Sequence, residues 1–581
     1  MNDPFVFTLL LPLVGTMLVA AFGSTSHVGA RITALIVSLV TLLFASRVTL
    51  AWLGGHPYEI DVPWFSNAAI DIRFNLGLDG LSVWMFALSA LLTVTAILVS
   101  WEAIKDRAAL FYSMLLLLET GMLGCFAARD IILFYVFFEF TLIPLFFLIG
   151  IWGSEERRYA AIKFFLYTLA GSMLTFLGLL AIVLWVYDQT GREQMTFSIA
   201  KLVAALGEHP LPLNLQLTLF VALFAGFAIK VPLFPLHTWL PLAHVQAPTA
   251  GSVILAGILL KIGTYGFLRF SLPMLPDATV TAMPCVLVLS GAGIIYGALV
   301  ALAQGDMKRL IAYSSVSHLG YCMLGIFALN KLGMQGGALQ MINHGLSTGG
   351  LFAVIGMVYE RYHTRQIADL GGLARRTPML AVCMLLFTFS SIGLPGLNGF
   401  AGEFLILTGM FQRAWSDAPA IYQATWMTIA VAGVFGVVLG AWYMLWLVER
   451  VFFGPLKEPG GHAPAPAAHG HGSHDHHGHA AAAHDDHSAI HDLNFREAVA
   501  LVPLVVFMFW IGLVPQTFLA PMAPELDKVE AIVAKAYAKH DWKSVAKTED
   551  ELNHRDAEDA EKKTEMKIVN VVDQLPERGG E

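Results

Sequence analysis

Runs of about twenty apolar residues recur along most of the chain, separated by short polar connections. A helix that crosses the hydrocarbon core of a bilayer needs about 20 such residues. By that measure the pattern predicts about fourteen spans: 4–23, 30–52, 82–101, 108–127, 130–151, 159–187, 214–234, 248–270, 279–303, 309–328, 333–358, 378–410, 421–447 and 496–521. The first has no basic stretch before it and no small-residue cleavage site after it, so it reads as a retained helix rather than a signal peptide.

Two apolar stretches are too long and too interrupted for one straight helix. The stretch 214–241 is broken at Lys230-Val231-Pro232 and again at Pro235, and 378–410 is broken at GLPGLNGF, Gly393 to Phe400. Proline removes a backbone donor and glycine weakens a helix. Inside a membrane the freed carbonyls must meet protein or water, so such breaks belong beside cavities. They fall in the fourth member of two consecutive five-span groups, and matched broken helices point to repeat-built transporters. The expected fold is therefore an all-α polytopic membrane protein with two inverted five-helix repeats; two kinked helices without symmetry are the alternative. The parts are 1–107 (three N-terminal helices), 108–270 and 279–450 (the two repeats), a loop 456–494, a last span 496–521 and a charged tail 522–581, in which 525–540 has helical periodicity.

Composition agrees. The 581 residues are 56% hydrophobic and 13% charged, against about 25% charged in an ordinary soluble domain. The lipid bilayer is the expected surrounding, and no nucleic-acid partner is expected. The net charge of -8 comes largely from loops and tail and says little about partners. One set of alternate loops is the richer in basic residues: Arg31, Lys105, Arg107, Arg157, Arg158, Lys308, Arg309, Arg361, Arg365, Arg375, Arg376 and Arg450. That set is expected on the cytoplasmic side, with the N-terminus and the tail on the other face of a bacterial inner membrane.

Cys125, Cys285, Cys322 and Cys383 lie in separate apolar spans without a CxxC, so neither an iron–sulfur site nor a disulfide framework is indicated. The loop 456–494 holds half of the 20 histidines in a low-complexity His/Ala/Gly run. Its His471, His474, His476, His477 and His479 could catch a divalent transition metal; a flexible insertion with incidental metal affinity is the plainer reading. No metal site is otherwise expected. No Gly-rich nucleotide loop, HExxH or nucleophile elbow occurs, so the chain has no redox centre or ATP site of its own, and energy must come from an ion gradient or a partner.

The candidate chemistry is a set of ionisable residues at membrane depth. Glu139, Lys230 and Lys261 each have long apolar flanks on both sides. A charge there costs at least about 2.5–3.5 kcal/mol, and such residues usually face a bundle interior or a water path. Burial disfavours the charged form of acid and lysine alike, whereas proximity of the two favours both. Glu139 and Lys230 can thus act as a switchable pair, or as a static ion pair that orients helices. Lys261, on the next span, suits a proton relay; snorkelling is the alternative. His318 and His344 sit in successive later spans, and histidine is the natural shuttle near neutral pH; either could be a satisfied core residue instead. Glu403 follows the second break, where an acid can hold and release a proton, and Glu119 is an accessory intramembrane acid. The hydroxyls of Tyr313, Ser314, Ser315 and Ser317 could hold ordered water.

Three strings, AIKVPLFPLHTWLPLAHVQAPTAGSVILAGILLKIGTYGFLRF (228–270), DMKRLIAYSSVSHLGY (306–321) and LPGLNGFAGEFLIL (394–407), closely resemble the subunit M (mitochondrial subunit 4) family of respiratory complex I, the proton-translocating NADH–quinone oxidoreductase. The resemblance runs from about residue 80 to 450. The lysine-bearing strings are shared with chains of multisubunit sodium/proton antiporters and membrane-bound hydrogenases; Glu403 is the more specific mark, since relatives carry a lysine there. The resemblance implies an input pair Glu139–Lys230, a central relay at Lys261, His318 and His344 on a hydrated axis, and Glu403 as terminal acid. It implies no cofactor in this chain, with NADH, FMN, iron–sulfur clusters and quinone in partner subunits, and neighbouring antiporter-like chains as direct partners. Leu242 and Gln246 depart from the charged residues that relatives often place after PLHxWLP, which leaves a loop salt bridge there in doubt. A sodium/proton antiporter subunit and a scaffold without proton traffic are the rival readings.

Overall fold

The computed structural model describes residues 4–23, 26–459 and 490–542. The histidines His471, His474, His476, His477 and His479, and the tail beyond residue 542, lie outside the described residues.

Twelve described helices are long and apolar enough to cross a membrane, and Val83–Val99 and Pro378–Ser391 are shorter apolar helices. These positions follow the expected spans; the expected 108–127, for instance, is found at Ala108–Ala127. Thr249–Met274, Met307–Phe327 and Lys331–Tyr362 form the centre of the bundle, buried on all faces. The N-terminal helices Pro4–Gly23 and His27–Leu53 pack on each other and keep wide apolar faces exposed, as a lipid or protein boundary requires.

Both breaks are present. The first helix, Leu213–Lys230, stops at the lysine, and the chain resumes as Trp239–Gln246. Pro232 supplies no N–H to the Ala228 carbonyl, which takes the Leu233 N–H at 2.9 Å instead, and the Ile229 carbonyl so left over accepts the Trp239 indole N–H at 2.9 Å. At the second break Pro378–Ser391 gives way to Asn398–Ser416. Between them Leu394 to Leu397 form a tight turn, closed by Leu397 N–H to the Leu394 carbonyl at 3.1 Å. Pro395 leads that turn, and Gly396 takes the left-handed φ of +93° that its next position requires.

Three expectations need correction. The span 496–521 is shorter: its helix, Phe495–Leu513, ends before Pro515, because a residue preceding proline is pushed out of helical geometry. A separate helix, Gln516–Lys539, follows, with Phe518, Met522, Leu526, Val529 and Val533 along its buried stripe. The fold also contains a small sheet. Glu59–Ser66 pairs antiparallel with Ile70–Gly77, and Met195–Thr196 adds in parallel. A search for twenty-residue apolar runs passes over such short strands, the outer of which is almost wholly exposed. Finally, Lys308 is a buried residue rather than a loop charge: its ammonium donates to the Ala247 carbonyl.

Candidate functional site

The helix Thr249–Met274 is not plainly α-helical. Its segment Leu260–Gly266, which carries Lys261, is flanked by π-helical turns at Leu255–Leu259 and Phe267–Ser271. Such wide turns are rare and concentrate at functional sites. The fully buried Lys261 ammonium reaches back to the Ala256 carbonyl, inside the first π turn, and lies 2.6 Å from His344 Nδ1.

From there the ionisable groups run on across the core. The His344 and His318 rings have centroids 5.8 Å apart, and His318 Nδ1 is 3.3 Å from Glu403 Oε1. The other His318 nitrogen faces the Tyr443 hydroxyl at 3.4 Å, and Gln340 donates to Glu403 Oε1 at 3.3 Å. Four elements supply this line: the π-interrupted helix, the two helices buried on all sides, and the helix that restarts after the second break. All four ionisable residues are less than a tenth exposed. Two cavities of about 10 Å³ adjoin it, one beside His344, His318 and Asn343, the other beside His318, Glu403 and Tyr443. Each is near the size that one water occupies.

The expected Glu139–Lys230 pair is not closed. Among the described residues, no basic nitrogen lies within 4.0 Å of the Glu139 carboxylate. The Lys230 ammonium sits 4.8 Å over the Phe138 ring and feels Glu139 only across a gap. The cause is local. One residue along a helix is a turn of about 100°, so the buried Phe138 faces Lys230 while Glu139 is rotated to a half-buried position beside Tyr135. The helix is interrupted at Thr141, three residues before Pro144, which has no N–H to offer the carbonyl four residues back. Glu119 is fully buried in Ala108–Ala127, and neither carboxylate oxygen has a hydrogen-bond partner among the described residues. The serines near His318 are already engaged: Ser314 and Ser315 donate to the Ile311 carbonyl and Ser317 to that of Ile294.

His244 went unnoticed in the sequence. It is fully buried, stacks on Phe352 with centroids 4.6 Å apart, and has both ring nitrogens without a partner among the described residues. It lies in the field of both Lys308 and Lys261. Its place in LPLAHVQAP, after the first break, was the available signal. Gln246 instead ties down the start of the helix Arg157–Gln189: its side chain accepts the Glu156 N–H at 3.2 Å and its carbonyl that of Ser154 at 3.0 Å. Among the described residues, no group of three or more His, Cys, Asp or Glu is placed to hold a metal ion.

A family model described as NADH:quinone oxidoreductase/Mrp antiporter, transmembrane, matches residues 128–440. The chain is 40% identical to NADH-quinone oxidoreductase subunit M of Rhodobacter capsulatus, over 87% of this chain and 92% of that one. It is 38% identical to NADH-ubiquinone oxidoreductase chain 4 of Chondrus crispus, over 89% and 95%. Among solved structures, it resembles a chain of respiratory complex I from Thermus thermophilus with bound NADH: TM-score 0.75, 31% identity, 91% of this chain and 99% of that chain covered. The chain belongs to the NADH:quinone oxidoreductase/Mrp antiporter family of membrane proteins. The same fold recurs at 23% identity and TM-score 0.74 in an archaeal membrane-bound sulfane sulfur reductase, covering 90% of this chain and 78% of that one.

Proposed function

We propose that this chain is a proton-translocating subunit in the membrane arm of a bacterial NADH–quinone oxidoreductase. The observation that carries the reading is the buried line Lys261–His344–His318–Glu403, with a 2.6 Å contact at one end and a 3.3 Å contact at the other. Buried ionisable groups in such contact retune each other's protonation and can pass a proton along. The redox chemistry, with NADH, FMN, iron–sulfur clusters and quinone, belongs to partner subunits, and neighbouring antiporter-like chains are the direct partners.

A route into the line is supported by a cavity of about 600 Å³, lined among others by Glu155, Lys308, Glu360 and Arg365. It opens at the end of the bundle richest in basic loops, the proposed cytoplasmic side, and His244 lies in the field of the lysines on either side of it. The N-terminus and the charged tail then face the periplasm. The two breaks, beside Lys230 and before Glu403, are read as the matched elements of two inverted repeats, 108–270 and 279–450. Charge movement at the neighbouring subunit changes the field at the Glu139–Lys230 gap, which biases Lys261 and drives a proton toward Glu403. Moving one charge against 100 mV requires about 2.3 kcal/mol. A change of two units in proton affinity supplies about 2.7 kcal/mol, which is adequate.

The test is proton translocation by the intact complex in vesicles, driven by NADH and quinone. Lys230→Ala and Glu139→Ala are expected to abolish coupled pumping while the complex still assembles; normal pumping in either variant removes the relay assignment. Sodium exchange is the other activity that the family description admits. The named relatives and the acid at Glu403 favour the first reading, and sodium-independent pumping would support it.

A further inference from the structure

Glu403 is held by a chain of three amide and carbonyl groups whose polarity is fixed by the backbone. The carbonyl of Asn398, the first residue after the second break, can only accept. Asn343 approaches it at 2.8 Å, so the group that Asn343 presents there must be its NH2. That same nitrogen lies 3.1 Å from Gln340, so Gln340 must present its oxygen to Asn343. The other end of the Gln340 amide is then its NH2, and it is this end that meets Glu403 Oε1 at 3.3 Å. The order Asn398 C=O, Asn343, Gln340, Glu403 thus admits one orientation of each amide while the break keeps its shape. Asn343 Oδ1, on the unused side, is buried without a partner among the described residues. Gly402 makes the room: a methyl group on it would overlap the Gln340 side-chain oxygen and crowd Asn343 Nδ2.

We propose that Gln340 and Asn343 are positioning residues that lock a hydrogen-bond donor onto Glu403, and that a shift of the break at Asn398 unlocks it. In the locked state the donor favours the carboxylate, because a hydrogen bond to the charged form stabilises that form. If the Asn398 carbonyl withdraws, Asn343 no longer dictates which end of Gln340 it meets. Gln340 can then turn its oxygen toward Glu403, an arrangement that only a protonated acid satisfies. The clamp therefore converts a movement of backbone at the break into uptake or release of a proton at Glu403. The titratable groups facing Glu403 are His318, Tyr321 and Cys322 from Met307–Phe327 and Tyr443 from Gln423–Phe452, with His344 from Lys331–Tyr362 one ring further. Pro378–Ser391 contributes Ser391, and Phe495–Leu513 presents Gly512 to the break. None of the amides titrates, so their effect is separable from these groups.

The inference rests on the relay reading of Glu403, and its test separates the two. In the intact complex in vesicles, the pH profile of NADH-driven proton translocation and the rate of quinone reduction are measured for Gln340→Met, Asn343→Leu, Gly402→Ala and Glu403→Gln. Gln340→Met keeps the shape and removes the donor. It is expected to move the acid limb of the pumping profile upward by about one pH unit and to leave quinone reduction running at high pH. Asn343→Leu is expected to shift it the same way by a smaller amount, since Gln340 is freed rather than lost. Gly402→Ala, with both amides intact but displaced, should reproduce the shift. An unchanged profile in Gln340→Met, in a complex that assembles normally, overturns the clamp. Full pumping in Glu403→Gln overturns the relay reading itself, whatever the amide variants do.

Discussion

The Lys261 ammonium nitrogen and His344 Nδ1 lie 2.6 Å apart, both almost without exposed surface. While Lys261 is charged its ammonium can only donate, so His344 Nδ1 then accepts and the neutral ring carries its proton on Nε2. That nitrogen has no partner among the described residues, so it is free to hand a proton onward. In the proposed relay the pair is thus polarised: a proton taken up at Lys261 would leave from the far side of His344.

A fixed charge in place of Lys261 cannot do this, because arginine keeps its proton under all relevant conditions. Lys261→Arg is expected to be as inactive in pumping as Lys261→Met, at least tenfold below the parent, in complexes that assemble and carry their usual subunits. Proton translocation per NADH oxidised reads the effect. Recovery of pumping in the arginine variant would mean that charge, and not proton transfer, is what this position supplies.

The 3.3 Å approach of His318 to Glu403 leaves no slack. Glu403→Asp withdraws the carboxylate by one methylene, enough to open this contact. We expect pumping to fall several-fold in Glu403→Asp and to be lost in Glu403→Gln, with quinone reduction affected less than pumping. Equal loss of the two activities would point to misassembly instead.

Near the sheet, Asp79 bonds the Arg269 guanidinium, and Arg129 lies in its field. Burial pushes the Asp79 carboxyl up, but Arg269 and Arg129 more than offset it and hold it below its ordinary 3.8. A depressed native value means that this tie stabilises the fold above the unfolded value and is lost as the pH falls through the native one. The purified complex should therefore show a local loss of protection in Ile70–Gly77 and Val83–Val99 only below about pH 4. Asp79→Ala should produce it at neutral pH, since it leaves the partly buried Arg269 guanidinium without its carboxylate. Hydrogen exchange across these segments is the measurement.

Arg361 holds Glu497 by two bonds of 2.9 and 2.7 Å, and Glu497 also closes a capping box with Asn494. Among the described residues, removing Arg361 leaves the buried Glu497 carboxylate with the Asn494 N–H and a distant Arg496 only, and removing Glu497 leaves Arg361 with backbone carbonyls only; losing one partner of a buried pair is strongly destabilising. Arg361→Ala and Glu497→Ala are each expected to lower the yield and melting temperature of the complex, and Arg361→Met with Glu497→Met together should recover much of the loss. A double variant as poor as the sum of the single ones would argue against a direct pair.

Much of this was legible in the sequence because membrane burial writes itself in composition. An apolar run of the right length is a span, and a lysine inside it is costly enough to stand out; Lys230, Lys261 and Glu403 declare themselves in this way. The breaks were legible because Pro232, Gly393 and Pro395 have few other uses inside a span. What escaped depends on rotation and packing. Phe138 and Glu139 are neighbours in sequence, and only the helix phase decides which of them meets Lys230. The π turns around Lys261 arise from packing in the bundle centre, not from any residue type. Gln340 and Asn343 look like ordinary polar residues of a small-residue helix until Asn398 is placed beside them, and Lys308 reads as a loop charge until the turn at Ala247 folds over it.

The chain leaves the described bundle after Lys457, which pairs with Gly371, and returns through Asp492, whose carboxylate receives the N–H groups of Met379 and Leu380. Both points are held by 371–380, the connection into the helix Pro378–Ser391 together with its first turn, so the two ends of the described chain are anchored at one place. That makes the seam a graft port: a reporter domain or an affinity handle spliced in place of the thirty residues 460–489 would give a way to watch or pull on the complex away from the buried line Lys261–His344–His318–Glu403.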